Sequence, residues 1–151
     1  MDLRKELVKY LDNTDFNFIK HDDGELYTSI QLTNTIAVLV IDFDDNDSTL
    51  VFKSMVELDM LDRFDKILRL VNLINLRMKA GCMTIDKDND AILFKCANIY
   101  PEGINELSVD LQIDLCLQYI DKFIPAFQLL IHSDLSEFQV LDIIENDTGE
   151  A

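Results

Sequence analysis

The sequence has few of the residues on which most enzymes, metal sites and secreted disulfide-rich domains depend. Its 151 residues include four glycines, two prolines, two histidines, three cysteines and no tryptophan. So few glycines argue against the glycine-rich loops that bring the backbone close to bound phosphates. No GxSxG, H-x-x-H or H-E-x-x-H pattern occurs either. We therefore expect a protein that is not an enzyme and has no cofactor or catalytic residues.

Long apolar stretches are also missing. None approaches the roughly 20 residues that a helix needs to cross a bilayer. The first residues, 2–6, are mostly charged and have no apolar stretch behind them, unlike a secretory signal or a transit peptide. We expect a cytoplasmic protein that does not enter a membrane.

The three cysteines are Cys82, Cys96 and Cys116. An odd number without C-x-x-C spacing makes a poor disulfide framework and a poor zinc site. Each cysteine lies in an apolar stretch, and free cysteines are among the most buried residues in proteins. The sequence therefore predicts three buried, reduced thiols.

Positive charge is scarce. Lysine and arginine together number 13 against 29 acidic residues, so the formal net charge is -16. Nucleic acids and anionic membranes are repelled by such a protein, which excludes them as main partners. A basic partner is one explanation of the acidity, and solubility alone is the other.

Segments with helical or strand periodicity follow one another along the chain. The predicted helices are 3–11, 60–79 and 109–131, with a short last helix after residue 134. The predicted strands are 16–21, 26–32, 36–43, 50–55, 82–86 and 91–99, and the strand 36–43 is apolar enough to be covered on both faces. Runs of strands with separate helices indicate an α+β fold, an antiparallel sheet packed by helices. We expect a single domain over 1–144 and an acidic tail over 145–151.

Four details concern the two C-terminal helices. Ser108 is the predicted N-cap of the long helix, and Pro125 should kink it. Asp134 and Glu137 resemble a capping pair that opens the last helix. The apolar side of that helix is predicted to hold Leu135, Phe138, Leu141 and Ile144.

The helix predicted over 60–79 has two faces of different character. Its core face carries an apolar residue at helical spacing: Phe64, Ile67, Leu68, Val71, Ile74 and Met78. The opposite face combines leucines with basic residues in an otherwise acidic protein, which is typical of an interface. The predicted dimer or partner interface consists of Arg63, Lys66, Leu70, Leu73, Leu76 and Arg77. The alternative is that other segments of the chain cover these leucines.

Two polar features of the chain have a structural and a functional interpretation. Asn75 falls within the apolar stripe, with Asn72 at its edge, and such amides usually bond to the backbone; contact with a ligand is the alternative. Residues 42–46 and 86–90, each in an acidic turn, match the D-x-D/N-x-D/N start of a calcium loop. Both lack the glycine and the glutamate that should follow, so structural turns are favoured.

One stretch resembles the YbjN family of bacterial proteins. Residues 71–76 end a helix with paired asparagines, residues 79–86 form a short link and a strand that ends in Asp86, and a second strand, 91–95, follows. Pro125 matches the proline that the family often has near the end of its C-terminal helix. The resemblance covers residues 10–132. It implies the fold of type III secretion chaperones, which are small, acidic, dimeric proteins that hold an extended segment of a partner.

The function that these observations predict is a non-enzymatic protein-binding module, a homodimer that acts as a chaperone or regulatory adaptor. The partner is a protein or peptide captured on the sheet or along an apolar groove. The alternative is a small-ligand or metal-sensing regulator, for which the acidic turns are the motive. An enzyme is the third hypothesis.

Overall fold

An antiparallel sheet with helices packed on one face forms the protein. The computed structural model describes residues 2–20, 24–44, 46, 48–60 and 62–148. In chain order, the helices and strands of these residues are α1 (Leu3–Leu11), β1 (Ile19–Lys20), β2 (Leu26–Gln31), β3 (Ile36–Asp44), β4 (Thr49–Glu57), α2 (Phe64–Asn75), β5 (Cys82–Asp86), β6 (Ala91–Ile99), α3 (Glu106–His132) and α4 (Glu137–Thr148). Three of these elements, α1, β5 and β6, have the predicted bounds, whereas β1 is shorter than predicted.

The six strands lie in the order β1-β2-β3-β4-β6-β5, and every neighbouring pair is antiparallel. Chain neighbours therefore pair through short turns, with one exception. Helix α2 lies between β4 and β5 in sequence, and the following hairpin places β6 rather than β5 beside β4.

The core lies between the sheet and the helices. Alternate strand residues point to the same face, and Leu39, Phe52 and Phe94 are fully buried on the helix side. Helix α3 contributes most of the remaining core, with Ile113, Cys116, Ile120 and Phe127 among its buried residues. The other face of the sheet carries no helix among the described residues. The prediction that β3 is covered on both faces is therefore wrong within this chain.

Helix α2 is shorter than predicted and buries a different set of residues. Ile67, Leu70, Val71 and Ile74 are buried, whereas Leu68 is 42% exposed. The predicted exposure of Leu70 and burial of Leu68 are both wrong. Leu70 lies three residues after Ile67 and four before Ile74, which is the spacing of one helix face.

Gly81 lies at the start of β5. Helix α2 stops at Asn75, and Gly81 precedes β5 with a φ of +74°. A Cβ at this position would lie 2.4 Å from Cζ of Phe94 and 2.8 Å from the carbonyl oxygen of Lys95. Glycine is required here by both the left-handed backbone and the close approach of β6.

Helix α3 begins earlier than predicted. Asn105 is its N-cap, and the Asn105 side chain accepts a hydrogen bond from the backbone N–H of Ser108. Ser108 lies inside the first turn, where its hydroxyl accepts from Asn98 Nδ2 at 2.9 Å and is bonded to the Tyr100 hydroxyl. The helix continues through Pro125 to His132.

Helix α4 is capped by a different pair from the predicted one. The Ser136 hydroxyl accepts from the Gln139 N–H, and Gln139 Oε1 accepts from the Ser136 N–H, which is a capping box. Its buried residues are Val140, Leu141 and Ile144, whereas Phe138 is 65% exposed, contrary to prediction. The helix runs to Thr148, so residues 145–148 are helical rather than part of a tail.

Two of the three cysteines are buried, as predicted. Cys96 of β6 and Cys116 of α3 lie with their sulfur atoms 3.5 Å apart in the core. Cys82 is exposed, so the predicted burial of this third thiol is wrong. Among the described residues, no helix has the length and apolar character needed to cross a membrane.

Candidate protein-binding surface

The interface residues predicted on α2 do not form one exposed surface. We call this set, Arg63, Lys66, Leu70, Leu73, Leu76 and Arg77, the α2 face. Leu70 is fully buried and Leu73 is half-buried against the core, whereas Leu76 is 81% exposed. Of the three leucines, Leu76 is the one that offers a large free apolar side chain.

Arg63 binds the end of helix α3. Its Nη1 atom donates to the carbonyl oxygens of Leu130 at 3.0 Å and Ser133 at 2.5 Å. The last carbonyls of a helix have no partner within the helix and carry partial negative charge. Arg63 therefore satisfies the C-terminus of α3 rather than facing solvent.

The other basic residues of α2 contact α4 and the segment before it. Arg69 pairs with Glu137 at 3.1 Å, and Arg77 pairs with Glu145. Lys66 Nζ lies 3.4 Å from the carbonyl oxygen of Leu135. The C-terminal helix thus occupies much of the surface that the sequence predicts to be an interface.

Asn75 bonds to a strand edge, which confirms the structural interpretation of this residue. Its Nδ2 donates to the carbonyl oxygen of Met83 at 2.9 Å, and its Oδ1 accepts from the Met83 N–H at 2.7 Å. Met83 is in the edge strand β5. The side-chain amide acts as a peptide group of a further strand would, and so closes this position of the edge to other chains. Asn72, by contrast, is exposed.

The sheet face that bears no helix presents a second surface. We define this open face by eight side chains from the four central strands: Tyr27, Val38, Val40, Val51, Lys53, Met55, Leu93 and Lys95. Residue pairing arranges them in rows across the strands, since Val38 lies opposite Met55, and Met55 opposite Leu93. The next row joins Tyr27, Val40, Lys53 and Lys95.

Contacts to α3 identify the opposite side of the sheet as the covered one. Ser54 donates its hydroxyl to the Cys116 carbonyl at 2.7 Å, and the Phe94 and Tyr119 rings lie 5.1 Å apart. Ser54 and Phe94 alternate with Met55 and Leu93, which therefore point away from α3. Val38, Met55 and Leu93 are half-buried on the open side. A groove of about 590 Å³ lies at one end of this face, lined by residues that include Ile36, Val38, Met55 and Ala91.

Sequence analysis did not find the open face, although part of its signal was present. The apolar residues of β3 and β6 on both faces led to the expectation that more than one side is covered. The sequence gives no sign of which face the helices choose. That choice depends on tertiary packing of α3, and the rows depend on strand pairing, neither of which is local.

Shifted titratable groups occur at two places. A hydrogen bond from the Tyr10 hydroxyl to Asp110 at 2.5 Å, followed by burial and the charges of Asp110 and Glu106, raises the pKa of Tyr10 to about 12. In the core, the hydrogen bond between the two thiols lowers the pKa of Cys96. The same hydrogen bond, followed by burial, raises the pKa of Cys116. Neither pair lies on the open face.

The acidic turns are the basis of the metal-sensing alternative. In the second turn, Asp86 accepts hydrogen bonds from the backbone and side-chain nitrogens of Asn89, which confirms its structural role. The first turn includes Asp45 and Asp47, which lie outside the described residues, as does His21. His132 is exposed at the end of α3. Within the described ranges, no three histidine, cysteine or acidic residues are grouped to hold a metal ion.

Comparison with protein families gives one match. The model of the YbjN family, described as "Putative bacterial sensory transduction regulator", matches residues 4–129. A search of curated proteins finds no significant relative.

Several solved structures share the fold at low sequence identity. A crystal structure of YbjN from E. coli, titled a "putative transcription regulator", has a TM-score of 0.60 and 17% identity, over 85% of this chain and 92% of that one. The structure of the HopA1-SchA chaperone-effector complex has a TM-score of 0.55 and 13% identity, over 78% of this chain and 88% of that one. The crystal structure of the ExsC-ExsE complex has a TM-score of 0.64 and 12% identity, over 89% of this chain and 100% of that one.

These matches confirm the fold and family predictions. The family match covers most of the chain, and the structures share its α+β architecture of an antiparallel sheet with helices, the type III secretion chaperone-like fold. Because each structure is less than 25% identical to the chain, the likeness extends to the fold alone. The absence of catalytic activity, the homodimer and the metal-sensing alternative stay predictions.

Proposed function

The chain belongs to the YbjN family, and from this premise we propose that it is a non-enzymatic protein-binding module that acts as a chaperone or regulatory adaptor. The open face is the observation that carries the proposal. Apolar side chains on the central strands are half-buried there, and no helix of the described chain covers them. Contiguous apolar surface that a chain leaves uncovered marks an interaction site.

The partner segment is an extended one that lies across the open face. An extended chain turns alternate side chains to one side. A segment that crosses the strands can therefore place apolar side chains over the row of Val38, Met55 and Leu93, while the side chains between them stay in solvent. Removing this apolar surface from water favours binding. Chaperone-effector complexes among the similar folds support this class of partner.

We also propose that the protein is a cytoplasmic homodimer whose contact lies on the α2 face. Leu76 is the most exposed large apolar residue of the described chain, at 81%. It lies just beyond the end of α2, next to Arg77, whose charge is taken up by Glu145. A second copy that covers Leu76 gains apolar burial without having to break that ion pair.

A capture experiment with two charge-introducing variants tests both surfaces. Tagged wild type, Met55→Glu and Leu76→Glu are used to capture proteins from the lysate of the source organism, with captured proteins identified by mass spectrometry. We expect Met55→Glu to remain dimeric and to lose the partner, and Leu76→Glu to become monomeric. Molar mass is measured by light scattering, and folding by circular dichroism and thermal unfolding.

The two variants are matched controls for each other because each places one carboxylate on a different surface. A partner retained by folded Met55→Glu contradicts binding on the open face. A dimer retained by Leu76→Glu contradicts the dimer contact on the α2 face. Wild type that captures no specific protein contradicts the proposed function itself.

A further inference from the structure

Two lysines lie side by side in the middle of the open face. Lys53 of β4 is directly opposite Lys95 of β6, and Val40 is opposite Lys53 on the other side. Like charges directly across two strands destabilise a sheet. Lys53 is also half-buried, so part of its side chain is held against apolar neighbours.

Neither ammonium group is neutralised within the described parts of the chain. Both lysines lack an ion pair or hydrogen bond there. Asp42 lies on the same face, diagonally across from Lys53, but forms no ion pair with either lysine. In a protein of net charge -16, two unpaired cations at the centre of an apolar face are conspicuous.

Several other basic residues have a partner within the chain, whereas Lys9 and Lys79, which are exposed, also lack an ion pair with the described residues. Arg69 and Arg77 are paired with glutamates of α4, and Lys87 and Lys122 lie 4.6 Å and 5.1 Å from the centroids of aromatic rings. A purely apolar partner that covered Lys53 and Lys95 would remove the water bound to their ammonium groups and supply no hydrogen-bond acceptor in its place. The binding free energy would bear the cost of this desolvation. A carboxylate satisfies both, since each ammonium has three donors and each carboxylate two acceptor oxygens.

We propose that the segment bound on the open face carries an Asp or Glu flanked by apolar residues, and that its carboxylate is held between Lys53 and Lys95. This inference rests on the proposed function and names the chemistry of its partner. Apolar contacts at Met55 and Leu93 supply the affinity, and the lysine pair selects segments with an acidic residue in register. Polyanions are disfavoured because the rest of the surface repels them.

Selection from a random peptide library displayed on phage tests the proposal. The baits are wild type, the variant Lys53→Met and Lys95→Met, and a control variant, Lys9→Met and Lys79→Met. Methionine keeps the length and apolar stem of lysine. The control removes two exposed lysines outside the open face and so produces the same change of net charge.

Wild type and the control should select peptides with Asp or Glu between apolar residues, and the open-face variant should select apolar peptides without that acidic residue. For one selected peptide, replacing its acidic residue by Gln or Asn should weaken binding to wild type about tenfold. The same replacement should leave binding to the open-face variant unchanged, as a double-mutant cycle requires.

Two outcomes overturn the inference while leaving the proposed function in place. One is selection of peptides that bind through Met55 but show no acidic preference, and the other is an acidic preference that survives in the open-face variant. Tight binding of wild type to single-stranded DNA or phosphatidylserine vesicles, lost with the lysines, also overturns it in favour of a polyanion. A library that gives no peptides, or peptides indifferent to Met55→Glu, contradicts the proposed function and the inference together.

Discussion

At the scale of single residues, positions with the same chemistry have opposite roles, and the local sequence separates them only in part. The apolar stripe predicts that Asn75 bonds to the backbone at a strand or helix end, and the bonds to Met83 confirm this. The prediction that Leu70 is exposed is wrong, although its spacing from Ile67 and Ile74 places it on the core face of α2. Local sequence could not predict the Lys53–Lys95 pair, because two residues 42 positions apart meet only through the pairing of β4 with β6.

The two asparagines of α2 give a matched test at this scale. Asn75→Ala removes both bonds to Met83 and leaves the N–H and C=O of an edge strand without that partner. We expect the free energy of unfolding to fall by roughly 1–3 kcal/mol. Asn72→Ala changes the same residue type on an exposed surface of the same helix and should alter the free energy of unfolding by less than about 0.5 kcal/mol. Urea denaturation followed by circular dichroism measures both, and equal effects would show that the amide bonds to Met83 contribute nothing.

At the scale of elements, the strands are better predicted than the helix boundaries. The hairpin of β5 and β6 has the predicted bounds because Gly81, the acidic turn after β5 and the loop at Pro101 delimit its strands locally. Helix caps depend on which of several polar residues turns its side chain to the backbone. Asn105 and Ser136 cap α3 and α4, whereas Ser108 and Asp134 were the candidates. Helix α4 lies beyond residues 4–129, which the family model matches, and its packing on α2 explains why the predicted interface is partly covered.

The attachment of α4 is a competition between apolar burial and ion pairs. Leu141 is 1% exposed, so Leu141→Ala should lower the free energy of unfolding by about 2–5 kcal/mol. The ion pair between Arg69 and Glu137 includes an arginine side chain that is 56% exposed. Arg69→Ala should therefore cost only about 0.2–1 kcal/mol. The comparison uses thermal and urea unfolding of the two variants, and a larger loss for Arg69→Ala would mean that charge rather than packing holds α4 in place.

At the scale of the whole molecule, the acidity that sequence composition shows has a consequence for stability. Folding confines a net charge of -16 from an unfolded radius of gyration of about 40 Å to one of about 15 Å. The repulsion among these charges is therefore larger in the folded state and lowers its stability. This loss of stability through charge repulsion follows from the residue composition alone, so the sequence predicts it without any structural detail.

Added salt should therefore stabilise this protein. Between about 0.01 M and 0.1 M NaCl the Debye length falls from about 30 Å to 10 Å, which screens repulsion across the molecule. The same salt weakens exposed ion pairs such as that of Arg69 with Glu137, but each is worth only about 0.2–1 kcal/mol, and the long-range repulsion of the excess acidic residues outweighs them. We expect the melting temperature, measured by circular dichroism at neutral pH, to rise over this range. The Lys53→Met and Lys95→Met variant, whose net charge is more negative, should show a steeper rise than wild type. A melting temperature that falls with salt would mean that local ion pairs, not net charge, dominate the electrostatics of the fold.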